Sequence, residues 1–277
     1  MWTKTINNDN IIYSFREAFV HKLCNQFSGL PKTFCVCLND LNLTVQMEHL
    51  SDVGVGNPVD HFIQILKSVA VLHYFSIAHR DIKSDNIMYR NNKAVLIDFG
   101  LAKILEKDGD NTPEVVSIFY RSPELPTEKY GFEIDSWALG VWGLELFNQE
   151  FDPDFDDMDL ALQNVPIEIR SIIKSFLKVD PKKRSVPLDW IDILHNKKFK
   201  GKKYKTPRVV RSFPDTYYYL RNLIETFQYS KLEKKCVAIW LTFCLCSDAI
   251  DYKIIEERYK INNLLDICLE IFYLIKF

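Results

Sequence analysis

The sequence predicts an α+β chain, with strands gathered near its start and helices dominating the rest. Three observations carry this. Short apolar runs with strand character occupy Met1 to Ile6, Phe34 to Leu38 and Leu43 to Met47. Apolar residues recur at helical spacing from His61 to Tyr74, and an apolar helix is expected from Asp135 through Phe147. Between those helices, two polar loops, His79 to Asn86 and Asp98 to Gly100, flank the apolar strand Ala94 to Ile97.

Taken in order, the first strand carries Lys4, and Ser14 to Phe27 follows as a helix with Phe15, Phe19, Leu23 and Phe27 on one face and Glu17 within it. The next two strands join at Asn39-Asp40 and end in Glu48-His49-Leu50. The helix from His61 to Tyr74 turns Phe62, Ile65, Leu66, Val69 and Leu72 inward and delivers the chain to the first polar loop. Asp135 opens the second long helix, either as its N-cap or as a buried acceptor for amide donors. The acidic run Glu150 to Asp159 is a solvated loop. Its Asp152, Asp154 and Asp156 imitate the start of a calcium loop, but Asp157 stands where Gly is required and Gln163 where Glu is. Lys197 to Arg211 holds eight basic residues with Gly201 and Pro207, and reads as an exposed linker. Tyr217 to Phe227, Cys236 to Cys246 and Leu264 to Ile275 then predict three or four packed helices.

Composition narrows the function classes. A chain of 277 residues with 47% hydrophobic and 13% aromatic content can bury a substantial core. A net charge of −2 argues against an overall nucleic-acid-binding character. Seven cysteines, with Cys35/Cys37 and Cys244/Cys246 as the close pairs, form neither a disulfide framework nor a zinc pattern. Met1-Trp2-Thr3-Lys4 is no signal peptide, and Cys236 to Cys246 is shorter than the ~20 residues that span a bilayer. The expectation is an intracellular protein, cytoplasmic or nuclear, with no membrane partner. Plentiful Phe, Tyr, Ile, Asn and Lys suit an AT-rich genome such as that of a parasite or large virus.

The run His79-Arg80-Asp81-Ile82-Lys83-Ser84-Asp85-Asn86, followed by Asp98-Phe99-Gly100, resembles the catalytic and metal-binding loops of the eukaryotic protein kinases. The resemblance covers roughly residues 1 to 200. It implies a two-lobed fold, with a truncated β lobe over 1–50 and a mainly helical lobe over 51–200; the charge and apolar patterns beyond it set a basic linker over 201–215 and an all-helical appendage over 216–277. It also implies transfer of a phosphoryl group from ATP to serine or threonine hydroxyls of a protein substrate. Asp81 would orient the acceptor hydroxyl and take its proton, and Lys83 would stabilise the charge on the moving group. Asn86 and Asp98 offer the oxygen ligands that Mg²⁺ prefers. Lys4, held by Glu17, would grip the α- and β-phosphates; a solvated Lys4–Glu17 pair is the plainer alternative. Backbone groups of Glu48 and Leu50, in the hinge Glu48-His49-Leu50, would read the adenine edge, with Met47 behind.

Within that family the chain resembles the cyclin-dependent kinases. Glu124, in Ser122-Pro123-Glu124, stands 26 positions after Asp98, and Thr112 sits where that group carries its activating phosphothreonine. A phosphate there needs cationic partners; Arg16, Arg80 and Lys103 match the expected places, although lysine lacks the arginine fork. Val115-Val116 suggests a preference for proline after the acceptor. Asp135 would brace the catalytic loop, and Arg184 would pair with Glu124. Residues 223 to 249 look faintly like the first helices of a cyclin box, so an activator in cis is weighed beside one in trans and beside a merely covering appendage. The family's Gly-rich loop has no counterpart before Lys4, and Gly54 and Gly56 follow the hinge. A late start codon, a covering partner and lost activity all remain open, so a pseudokinase or decoy that binds a cyclin or kinase partner is the alternative function.

Overall fold

The computed structural model describes residues 2–6, 17, 20–21, 27–39, 42–74, 77–105, 118–125, 130–148, 151–152 and 156–195. Thr112, Arg16, the basic linker and the expected helical appendage lie outside these residues, as do Val115 and Val116.

Strands β1 (Trp2–Ile6), β2 (Thr33–Asn39) and β3 (Asn42–Met47) form an antiparallel sheet in the order β1-β3-β2. Lys4 stands opposite Val45 and Trp2 opposite Met47. Side chains alternate across a strand, so Trp2 and Lys4 share one face. Among the described residues, β1 is an edge strand of this sheet. Of the expected helix from Ser14 to Phe27, Glu17, Val20 and His21 are helical and buried. Phe27 is a correction: it lies beyond helical backbone, and its carbonyl accepts the Leu30 amide at 3.2 Å. The turn that follows needs a glycine. A Cβ on Gly29 would lie 2.2 Å from Ser68 Oγ, and the Gly29 carbonyl accepts both that hydroxyl and the Leu96 amide. The small sheet is thereby docked onto the helical part.

Helix α1 (Pro58–Tyr74) begins three residues earlier than its periodicity suggested and buries Phe62, Ile65, Leu66, Val69 and Leu72. Then come β4 (Ile77–Ala78), β5 (Ile87–Arg90), β6 (Lys93–Leu96) and β7 (Lys103–Ile104), paired as β4-β7 and β5-β6. Asn91 and Asn92 join β5 to β6 with φ of 49° and 62°, the left-handed pair that a tight two-residue hairpin demands and asparagine tolerates.

Helix α2 (Glu133–Glu145) is buried at every position from Ile134 to Leu144, and α4 (Ile167–Phe176) packs on it through Ile169, Ile172, Ile173 and Phe176. Asp135 is not the N-cap of α2. Phe132 occupies that position without a side-chain cap, and Asp135 sits inside the first turn with its carboxylate turned into the protein. The short helix α3 (Met158–Ala161) is capped by Asp157, which accepts the amides of Asp159 and Leu160, and α5 (Pro187–His195) closes the described chain. Among the described residues, no helix is long and apolar enough to cross a membrane.

Candidate active site

Strand β1, the segment Met47 to Asp52 and the start of the Asp98 loop meet at a cleft of about 480 Å³, lined among others by Trp2, Lys4, Glu17, Met47, Leu50 and Asp98. Lys4 Nζ donates to Glu17 Oε1 at 2.7 Å and to Asp98 Oδ1 at 2.8 Å. The solvated alternative for this pair does not hold: Glu17 is buried, and only 27% of the Lys4 side chain is exposed. Burial alone would lower the Lys4 pKa, but the two carboxylates outweigh it and hold the ammonium above its ordinary value. The reciprocal effect appears at Asp98. Burial pushes its carboxyl up, while the Lys4 ammonium and the Gly100 amide carry it below the usual range. A Cβ on Gly100 would come within 3.2 Å of Asp98 Oδ1, so glycine leaves that carboxylate room.

Asp98 and Arg80 both have left-handed backbone, with φ of 63° and 69°. Each such residue costs about 1–2 kcal/mol, and strain of this kind gathers at functional sites. Opposing bonds hold both turns. Buried Asp135 accepts the amides of His79 at 2.7 Å and Arg80 at 2.8 Å, and His73 Nε2 at 2.9 Å. His79 joins the loops: its Nδ1 faces the Asp81 amide at 3.3 Å, which makes Nε2 the protonated nitrogen that donates to the Ile97 carbonyl at 3.0 Å. Burial holds this imidazole below its ordinary pKa, in keeping with a neutral ring.

Within the first loop, Asn86 Nδ2 donates to the Asp81 carbonyl and to Asp81 Oδ2, each at 2.8 Å, and Lys83 Nζ reaches the same oxygen at 2.8 Å. The carboxylate is thus oriented from two sides. Asn86 keeps Oδ1 and Asp98 keeps Oδ2 without a hydrogen-bond donor among the described residues. Hard oxygen donors, one amide and one carboxylate, fit Mg²⁺, which takes few protein ligands and completes its shell with phosphate and water.

The hinge needs one correction. The Glu48 amide is not available to a ligand, because it donates to the Lys32 carbonyl at 3.0 Å. The Glu48 carbonyl and the Leu50 amide have no partner among the described residues, and Met47 lines the cleft.

The cations expected to meet a phosphate at Thr112 are more enclosed than the sequence suggested. Arg80 and Lys103 are each 1% exposed. Arg80 already donates from Nε to the Leu101 carbonyl at 2.6 Å and from Nη1 to the Tyr130 hydroxyl at 2.8 Å. Glu124 and Arg184 form a buried two-pronged pair at 2.6 and 3.0 Å, and the Arg184 guanidinium lies 5.0 Å from the centre of the Trp137 ring.

Other participants had no sequence signal. The Tyr120 hydroxyl meets both carboxylate oxygens of Glu145 at 2.7 Å and Ser84 Oγ at 3.2 Å, tying the segment before Glu124 to the loop of Asp81. Burial and the Glu145 carboxylate push the tyrosine pKa up to about 12. Arg90 Nε donates to Glu48 Oε2 at 2.7 Å.

The profile of the protein kinase domain matches residues 56–197, about half of the chain. The chain belongs to the protein kinase family. Its relatives include the CTD kinase subunit alpha of Saccharomyces cerevisiae, 39% identical over 112 residues that make up 39% of this chain and 20% of that protein. A probable CTD kinase subunit alpha homolog of Encephalitozoon cuniculi is 38% identical over 89 residues, 31% of this chain and 27% of the relative. Cyclin-dependent kinase 4 of Mus musculus is 34% identical over 126 residues, 40% of this chain and 42% of the relative. The kinase thus resembles the cyclin-dependent group, and it spans between a fifth and two-fifths of these relatives' length.

Proposed function

We propose that this kinase transfers the γ-phosphoryl group of ATP to serine or threonine hydroxyls of a protein substrate. The observation that carries the reading is Lys4 Nζ, bonded to both Glu17 and Asp98 at the wall of the cleft. On this reading Lys4 exchanges its bond with Asp98 for the α- and β-phosphate oxygens, while Glu17 keeps it aimed. The adenine edge meets the Glu48 carbonyl and the Leu50 amide, with Met47 behind. Asp81 accepts the hydroxyl proton as the alcohol oxygen bonds to the γ-phosphorus and the bond from phosphorus to the bridging oxygen of ADP breaks. Lys83 lies beside Asp81 and offsets charge on the moving group. Asn86 and Asp98 would hold Mg²⁺, which supplies charge neutralisation at the phosphate oxygens when bound.

A preference for proline after the acceptor is drawn from Val115-Val116 and from similarity to cyclin-dependent kinases. A cyclin-like activator, in trans or built into residues 216–277, is drawn from the same likeness, as is activation through Thr112. The test is transfer of labelled phosphate from ATP to Ser-Pro and Thr-Pro peptides, beside peptides without the proline, by the full chain and by Asp98→Asn. Transfer by the parent alone is the expected result. A parent no better than Asp98→Asn, still binding a cyclin or kinase partner, would replace this reading with a decoy that does not turn over.

A further inference from the structure

Arg90 stands at the turn end of β5, paired with Lys93. Its neighbour Tyr89 exchanges two backbone hydrogen bonds with Ser51, at 2.7 and 2.9 Å, just after the hinge. That bridge sets the direction of the arginine. From there the guanidinium crosses to the sheet side of the cleft. Nε donates to Glu48 Oε2 at 2.7 Å, Nη2 donates to Glu48 Oε1 and to the Leu30 carbonyl at 2.9 Å, and Nη1 donates to the Ser28 carbonyl at 2.5 Å. The two side chains are only 19% and 13% exposed, so little water competes with the fork.

Each group it reaches is itself fixed. Ser28 and Leu30 flank Gly29, whose carbonyl is bound by Leu96 and Ser68. Glu48 also accepts the Lys32 amide at 2.6 Å. Burial pushes its carboxyl up, but Arg90 and that amide carry it below the ordinary value. The chain from Glu48 to Ser51 is therefore fastened at both ends, by Arg90 at the first residue and by Tyr89 at the last. The Glu48 carbonyl and the Leu50 amide lie in that fastened span.

We propose that Arg90 is a positioning residue for adenine: its fork on Glu48, together with the Tyr89–Ser51 bridge, holds the hinge backbone ready for the base before any nucleotide arrives. This rests on the reading of the cleft as an ATP site. A preformed site binds more tightly because less ordering is left to the moment of binding. Lysine cannot replace the arginine, since its donors sit on one nitrogen and lack the planar fork that reaches a carboxylate and two carbonyls at once.

The experiment measures binding of adenosine, and separately of magnesium tripolyphosphate, by calorimetry at a temperature well below the melting of the full chain. The variants are Arg90→Lys and Glu48→Gln, singly and together. Arg90→Lys should weaken adenosine about tenfold and leave tripolyphosphate, which would rest on Lys4 and Asp98, within twofold. Glu48→Gln should do the same, and the double variant should lose little more than either single one, since both remove one fastening. Adenosine binding that is unchanged or tighter in both single variants overturns the proposal, and so does an equal loss for both probes, which marks general loosening. A parent that binds neither adenosine nor ATP removes the nucleotide reading, and this proposal with it.

Discussion

Two turns of left-handed backbone, one at buried Arg80 and one at Asp98 on the cleft, are held in opposite ways. At Arg80 the left-handed backbone is fixed by Asp135, which is 1% exposed and satisfied by two amides and an imidazole. At Asp98 the restraint is Lys4 together with the Gly100 amide, and the Lys4 and Asp98 side chains are 27% and 40% exposed. Water and ligands do not reach the first set of bonds. The second set can be traded for phosphate oxygens and a cation at little net cost, because each group leaves one charged partner for another. On the proposed reading, the proton acceptor stands on a fixed frame, while the nucleotide grip is built from exchangeable contacts.

The sharpest way to test this contrast is Asp81→Asn. It should lower kcat by about 10³-fold, within the range for general-base loss, with ATP binding unchanged by calorimetry, since Asp81 belongs to the frame side and not to the grip.

Asp135→Asn comes next, as the direct attack on the frame. It leaves buried donors facing an amide and should lose about 3 kcal/mol of stability by urea unfolding. Its acid behaviour adds a second reading. Burial alone would raise the Asp135 carboxyl, but the hydrogen bonds it accepts from His73 and from the Arg80 amide bring it below its ordinary value. A depressed folded pKa contributes stability that is complete above the unfolded value of about 3.9 and is lost as pH falls through the folded value. The parent should therefore show a steeper loss of stability below about pH 4 than Asp135→Asn, and parallel curves would mean the carboxylate is not the brace.

Lys4→Met attacks the grip. It should lower kcat/KM for ATP by about 10²-fold, as expected for a lost transition-state donor, and change the urea midpoint far less than Asp135→Asn does. A larger stability loss than that of Asp135→Asn would erase the distinction between the two turns.

Tyr120→Phe is the mildest. Loss of its hydroxyl bonds to Glu145 and Ser84 should cost about 1 kcal/mol, with a few-fold fall in peptide kcat/KM and little change in KM for ATP.

Much of this layout can be read in the sequence, and the reason is local. Strands β1 to β3 and β6 and helices α1 and α2 are legible as short apolar runs and the helical period, and the short motif around Asp81 brings its neighbours Lys83 and Asn86 with it. What could not be read depends on distant partners. Arg90 meets Glu48 across 42 positions and Tyr120 meets Glu145 across 25, and a single arginine in a strand looks like any surface charge. Asp135 could be read as a cap because capping and buried bracing use the same residue type, and only its contacts with His73 and His79 tell them apart. The apolar spacing that predicts helix through Phe27 carries no sign of the turn just after it, where Gly29 must approach Ser68.

The imidazole of His79 has one further consequence. Gripping the amide of Asp81 with one nitrogen and the carbonyl of Ile97 with the other, it couples the two loops like a rigid strut between hinged plates. On the proposed function, a molecule that pries Asp98 out of line would tug Asp81 with it, and an inhibitor aimed at the magnesium side would disarm the proton acceptor without touching it.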